Sequence, residues 1–174
     1  MDMDSRGTLI MDTYRNPRYR YAQEDSDLIL EEVNRSCGDR VQLYVRFRRD
    51  TAVPGKGEPG QGDSSIPTRA GSEADAPVSG TERERVIGEI SFQGEGCSVC
   101  LSSAELLCRF ARGRGLGEIQ RSARAFESFL TVETEGGQAG EPGIPEELSV
   151  FRDLQRFPMR QKCALMAWRM MATL

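Results

Sequence analysis

Two β-patterned runs bracket a stretch of chain that cannot build a core of its own. This pairing limits the architecture more than any other feature. Val41–Phe47 reads V-Q-L-Y-V-R-F, with Val41, Leu43, Val45 and Phe47 alternating against more polar neighbours. Val86–Phe92 reads V-I-G-E-I-S-F and is again rich in β-branched residues. Period-two patterning of this kind predicts strands, and two strands around one connection predict a hairpin. The connection, Thr51–Thr81, holds six Gly, four Pro and four Ser in 31 residues, with no aromatic. Such a segment cannot bury enough apolar surface to offset its ordering entropy, so it reads as a disordered insertion at the hairpin turn. A long surface loop adds little closure entropy, and the hairpin can tolerate it. Asp27–Val33 (DLILEEV) is a weaker candidate for a third strand, since its pattern also suits a helix.

The remainder reads as helical. Thr8–Tyr14 forms a short segment that stops ahead of Asn16-Pro17. Ser98–Ala111 carries Val99, Leu106, Leu107 and Phe110 and ends at Gly113 and Gly115. Leu116–Leu130 lines up Ile119, Ala123, Phe126, Phe129 and Leu130 on one stripe. Pro145 opens a short helix through Leu154, and Pro158 opens a last one to about Thr173. In that last helix Cys163, Met166, Ala167, Met170 and Leu174 fall on one face. Strands first and helices after predict an α+β domain, with a small three-stranded antiparallel sheet packed by helices. The length of 174 residues fits one domain, 1–174, with the insertion at 51–81.

Composition narrows the chemistry. There is no histidine, so no imidazole base, catalytic triad or His-ligated zinc site can exist. The net charge of −4 argues against a nucleic-acid footprint. The first residues, MDMDSRG, lack an apolar signal core, and the longest strongly apolar stretch, Ala164–Leu174, is too short to span a bilayer. These features predict a cytoplasmic protein with reduced thiols and no membrane partner.

The five cysteines are then core thiols, metal ligands or reactive thiols. Cys37 lies in S-C-G-D-R, Cys97 in Q-G-E-G-C, and Cys163 in the first turns of the last helix. All three sit near element ends, where side chains can converge and Gly38, Gly94 and Gly96 let the backbone approach closely. Helix N-termini would favour thiolates at Cys97 and Cys163. Asp39 stands two residues from Cys37. Three thiolates and a carboxylate suit tetrahedral zinc, and thiolates also suit iron–sulfur clusters. Small buried cysteines packed in a core remain the alternative at this point. Cys108 follows Cys97 by eleven residues, roughly 16 Å along a helix, and reads as a core thiol. Cys100 makes a C-S-V-C pair with Cys97 that could be redox-active, close to the site, or simply packed.

The motifs M-D-T-Y-R-N-P-R, C-G-D-R, F-Q-G-E-G-C-S and R-F-P-M-R-Q-K-C-A-L, in that order, resemble the SufU/IscU/NifU N-terminal family of iron–sulfur cluster assembly proteins. Lys162 stands where IscU-like members usually carry His. That substitution and the long stretch before Arg156, including Thr131–Pro142, resemble the SufU branch. The resemblance implies Cys37, Asp39, Cys97 and Cys163 as metal ligands. It implies zinc as the metal, with iron or a [2Fe–2S] cluster as the alternative. It also implies persulfide transfer from a PLP-dependent, SufS-like cysteine desulfurase to Cys37, and onward delivery to cluster scaffold or acceptor proteins. On this reading the chain is at most a zinc-dependent sulfurtransferase, and otherwise a scaffold. Three positions depart from the family pattern: Arg35 in place of a Pro, Cys100 in place of a small non-thiol residue, and the 51–81 insertion. Arg156, Phe157, Met159 and Arg160 ahead of Cys163, with Arg35 and Arg40 around Cys37, outline a candidate docking rim. Lys162 reads either as a partner of Asp39 or a nearby thiolate, or as a solvated helix lysine.

Overall fold

The computed structural model describes residues 3–49, 85–132 and 144–174. The 51–81 insertion and most of Thr131–Pro142 lie outside the described residues. The chain opens with α1 (Met3–Arg15), then forms strands β1 (Leu28–Asn34), β2 (Asp39–Phe47) and β3 (Ile87–Glu95). Helices α2 (Ser98–Ala111) and α3 (Leu116–Thr131) follow. A 3₁₀ helix over Glu146–Arg156 leads into α4 (Pro158–Ala172). The strands make one antiparallel sheet in the order β1-β2-β3, as the α+β reading predicts.

The weak segment ahead of Cys37 is a strand. Pairing with β2 decides the matter, and in it Leu28, Leu30, Glu32 and Asn34 turn inward while Ile29, Glu31 and Val33 are exposed. Register places Leu30, Leu43 and Phe92 in one row, and Leu28, Val45 and Ile90 in the next. That inner face packs on the helices. The connection from α1 is fixed by a buried carboxylate that the sequence reading passed over. Glu105 of α2 accepts the backbone N–H groups of Arg18 at 2.9 Å and Tyr19 at 3.0 Å, and Tyr19 O accepts from Phe92 N.

Two elements differ from expectation. The segment after Pro145 runs two residues past Leu154 and is wound as a 3₁₀ helix rather than an α-helix. Pro145 serves as its N-cap. The last helix was expected to bury a single stripe. It instead buries Cys163, Ala164, Leu165, Met166, Ala167, Trp168, Met170 and Met171. It lies between β1 on one side and α2 and α3 on the others, so it has little solvent face. Trp168 anchors it among Phe110 and Phe126 and donates its indole N–H to Ser103 Oγ at 3.1 Å.

Candidate metal centre

The centre forms where the β1–β2 turn, the end of β3 and the side of α4 meet. Asn34 and Asp39 are the last paired residues of the β1–β2 ladder. The turn between them closes through Gly38, whose φ of +81° lies in the left-handed region, which glycine adopts without strain. This turn carries Cys37 outward on an exposed loop, while β2 carries Asp39 inward, only 4% exposed. At the same end of the sheet, on the other side of β2, β3 passes through Gly94 and Gly96 into α2. A Cβ at Gly94 would sit 2.5 Å from Arg40 O, and one at Gly96 would sit 2.9 Å from Asp39 Cγ. Both contacts are closer than Cβ atoms approach, so these glycines admit the neighbouring strand and the carboxylate.

Asp39 is the hub. Its Oδ1 accepts the Cys97 backbone N–H at 3.1 Å, and its Oδ2 accepts the Cys97 thiol at 3.3 Å. Cys97 is the N-cap of α2, so the carboxylate lies at the positive end of that helix. Across the centre, Cys37 Sγ and Cys163 Sγ are 3.6 Å apart. Ligand atoms of Cys37, Asp39 and Cys163 all lie within 4.8 Å of one another, a group that can hold a metal ion. Cys97, the fourth expected ligand, lies outside that group and is hydrogen-bonded to its Asp39. Asn34 Nδ2 adds a contact of 3.7 Å to Cys163 Sγ from the adjoining strand.

The donor set fits zinc. Two sulfurs on a tetrahedral zinc, each about 2.3 Å from the ion, stand roughly 3.8 Å apart, and a sulfur and a carboxylate oxygen roughly 3.5 Å apart. The observed 3.6 Å and 3.3 Å lie close to those spans. The electrostatics point the same way. Burial pushes the Asp39 carboxyl up, but hydrogen bonds from Cys163, Cys97 and Cys37 outweigh it and hold the group below its ordinary value. Burial pushes the Cys163 thiol up, and the Asp39 carboxylate adds to it. Burial also raises Cys97, with Asp39 contributing, against the Cys100 amide that favours the thiolate. The expectation that a helix N-terminus would favour the thiolate is corrected for Cys163. Cys163 is the sixth residue of α4, beyond reach of the terminus, whereas at Cys97 burial outweighs the α2 amide of Cys100 that favours the thiolate.

The other candidates separate cleanly. Cys108 is fully buried, a core thiol. Cys100 is 1% exposed and donates to Met166 Sδ at 3.8 Å. Lys162 is exposed and makes no ion pair among the described residues, which favours the solvated reading. Phe157 and Met159 are half exposed beside the centre, and Met159 O accepts from the Cys163 thiol at 3.5 Å. Arg160 lies over the Phe157 ring. Arg40 pairs with Glu31 at 2.6 Å.

A small antiparallel sheet with three thiols and one carboxylate near its turn end makes a candidate thiolate metal centre on an α+β scaffold. Comparisons with known proteins sharpen that reading. No family model matches the chain. The zinc-dependent sulfurtransferase SufU of Bacillus subtilis is 21% identical over 161 residues, 92% of this chain and 82% of its own. The iron–sulfur cluster assembly scaffold protein IscU of Thermotoga maritima is 23% identical over 160 residues, 92% of this chain and 84% of its own. Among solved structures, a NifU-like N-terminal protein from Brucella abortus superposes with a TM-score of 0.66 at 15% identity, covering 99% of this chain and 94% of that one. A candidate SUF-system assembly scaffold from Fervidobacterium islandicum gives 0.64 at 20% identity, covering 95% and 92%. Sequence relatives and shared fold agree with the motifs: the chain is similar to SufU and IscU in sequence and shares the fold of SufU- and NifU-like proteins.

Proposed function

We propose that the chain works in iron–sulfur cluster assembly as a SufU-type sulfur acceptor. Cys37, Asp39, Cys97 and Cys163 hold one zinc ion, and Cys37 takes persulfide sulfur from a PLP-dependent, SufS-like cysteine desulfurase. When bound, zinc holds the thiols as thiolates near neutral pH. Cys37 then attacks the outer sulfur of the desulfurase persulfide. A new S–S bond forms at Cys37, the old one breaks, and the desulfurase cysteine leaves as a thiolate with the electron pair. No net oxidation or reduction occurs. The single observation that carries this reading is the position of Cys37. It is the exposed member of a sulfur pair 3.6 Å apart, its partner Cys163 being 5% exposed. The exposed Phe157 and Met159 offer the desulfurase an apolar foothold beside the site.

The test begins with metal analysis of protein purified without added metal. Zinc near one per chain, with desulfurase stimulation abolished in Cys37→Ser, supports the proposal. The second reading is an IscU-type scaffold that builds and passes on a [2Fe–2S] cluster, favoured by the similarity to the Thermotoga scaffold. It predicts bound iron and a transferable, anaerobically stable cluster absorption instead. Further proposals are a cytoplasmic location and delivery to downstream scaffold or acceptor proteins. No helix of the described residues is long and apolar enough to cross a membrane.

A further inference from the structure

The sulfurs of Cys37 and Cys163 stand 3.6 Å apart although the residues are 126 positions apart in the chain. The two differ in access: Cys37 is exposed on its turn, while Cys163 is buried. The other thiols face elsewhere. Cys97 is exposed as well, but its thiol is directed at Asp39 Oδ2, 3.3 Å away. Cys100 directs its own at Met166 Sδ, 3.8 Å away, and Cys108 is fully buried. The C-x-x-C pair is thus split between two partners. Joining Cys37 to Cys163 needs a sulfur–sulfur bond of about 2.05 Å, so the observed pair must close by roughly 1.5 Å. The turn can supply that movement. It lies beyond Asn34 and Asp39, the last paired residues of the β1–β2 ladder. Its hold on the strand is through the N–H groups of Cys37 and Gly38, which donate to Asn34 O at 3.3 and 2.8 Å. Cys163 stays fixed on α4.

We propose that Cys37 and Cys163 form a redox switch, which peroxide closes as a disulfide and which then shuts the site to both metal and persulfide. The Cys37 sulfur attacks one peroxide oxygen, the O–O bond breaks, and the leaving hydroxide takes up a proton to become water. Cys37 is left as a sulfenic acid. The Cys163 sulfur then attacks the Cys37 sulfur, the S–O bond breaks, and the oxygen departs as a second water. In sum two thiols give up two electrons and two protons, and one peroxide becomes two waters. Capture by the adjacent Cys163 also spares Cys37 the further, irreversible steps of oxidation. A dithiol reductant reopens the bond by exchange. Closure removes two of the four proposed donors, so the ion leaves. That loss of metal rests on the zinc reading above; formation of the disulfide does not.

The test treats the full chain, zinc-loaded and metal-free, with stoichiometric hydrogen peroxide. Non-reducing peptide mapping by mass spectrometry locates the bond, and a zinc indicator follows the metal. Both forms of the wild type are expected to lose two hydrogens and to yield one Cys37–Cys163 disulfide. Zinc release should match the disulfide one for one, and dithiothreitol should restore both thiols. Cys37→Ser and Cys163→Ser are expected to form no such bond, and Cys100→Ser to behave as wild type; mapping of the wild type decides the pairing even where a variant folds poorly. A Cys97–Cys100 disulfide, or Cys37 carried to the sulfinic acid with Cys163 still a thiol, would overturn the switch. So would zinc-loaded protein that keeps its zinc and thiols at a peroxide level that closes the metal-free form. A chain that takes up no zinc yet still forms the disulfide would instead overturn the zinc reading and leave the closure standing.

Discussion

Asp39 connects the donors. It accepts from Cys97 twice, and its ligand oxygen lies within 4.8 Å of the thiol sulfurs of Cys37 and Cys163. Asp39→Ala is therefore expected to lower zinc affinity by an order of magnitude or more, read by chelator competition. It also leaves the Cys97 N–H short of an acceptor, at a stability cost of about 1–3 kcal/mol. Gly96→Ala tests the same hub from outside, because its Cβ would press on the Asp39 carboxylate. The expected result is weaker zinc binding with the secondary structure intact, seen by the same titration alongside circular dichroism. Zinc affinity should also fall as the solution is acidified, since burial and Asp39 hold the Cys97 and Cys163 thiols high and binding must displace their protons. The four proposed ligands were legible because each sits in a distinctive short motif. The resting charge state of Cys163 was not. It depends on a carboxylate 124 positions away in the chain, and spacing carries no information about that.

At the level of elements, α4 has two tasks: it carries Cys163 and fills the core. Trp168→Ala should destabilise the fold by about 3–5 kcal/mol, measured by denaturant unfolding, because the indole is fully buried against Phe110 and Phe126. The sequence pattern announced the helix but understated its burial. A face of Cys163, Met166, Ala167 and Met170 was visible, whereas Trp168 and Met171 on the other side are buried only because α2 and α3 close over them. The β1 strand was ambiguous for a related reason. DLILEEV fits either period over so short a run, and only pairing with β2 decides it. Glu105 had a readable sign, as the one acidic residue of α2, but its partners are backbone amides that no side-chain pattern reveals. Glu105→Ala should cost roughly 1–3 kcal/mol and loosen the Arg18–Tyr19 segment in hydrogen exchange.

For the whole molecule, strands bring the turn site together and helices seal it from behind. The described ends of β2 and β3 stay close where the insertion departs: Arg48 N donates to Val86 O at 2.7 Å. A short Gly/Ser turn replacing residues 50–84 should therefore leave thermal stability and zinc content near those of the full chain. A large loss of either would show that the segment contributes to the fold. The central claim is that this molecule presents Cys37, from a zinc centre, to a persulfide donor. The most direct measurement is peptide mapping by mass spectrometry after the zinc-loaded protein meets a cysteine desulfurase and isotopically labelled cysteine. The account predicts one labelled sulfur on Cys37 and none on Cys100 or Cys108. Label absent from Cys37, or taken up undiminished by Cys37→Ser, would contradict it.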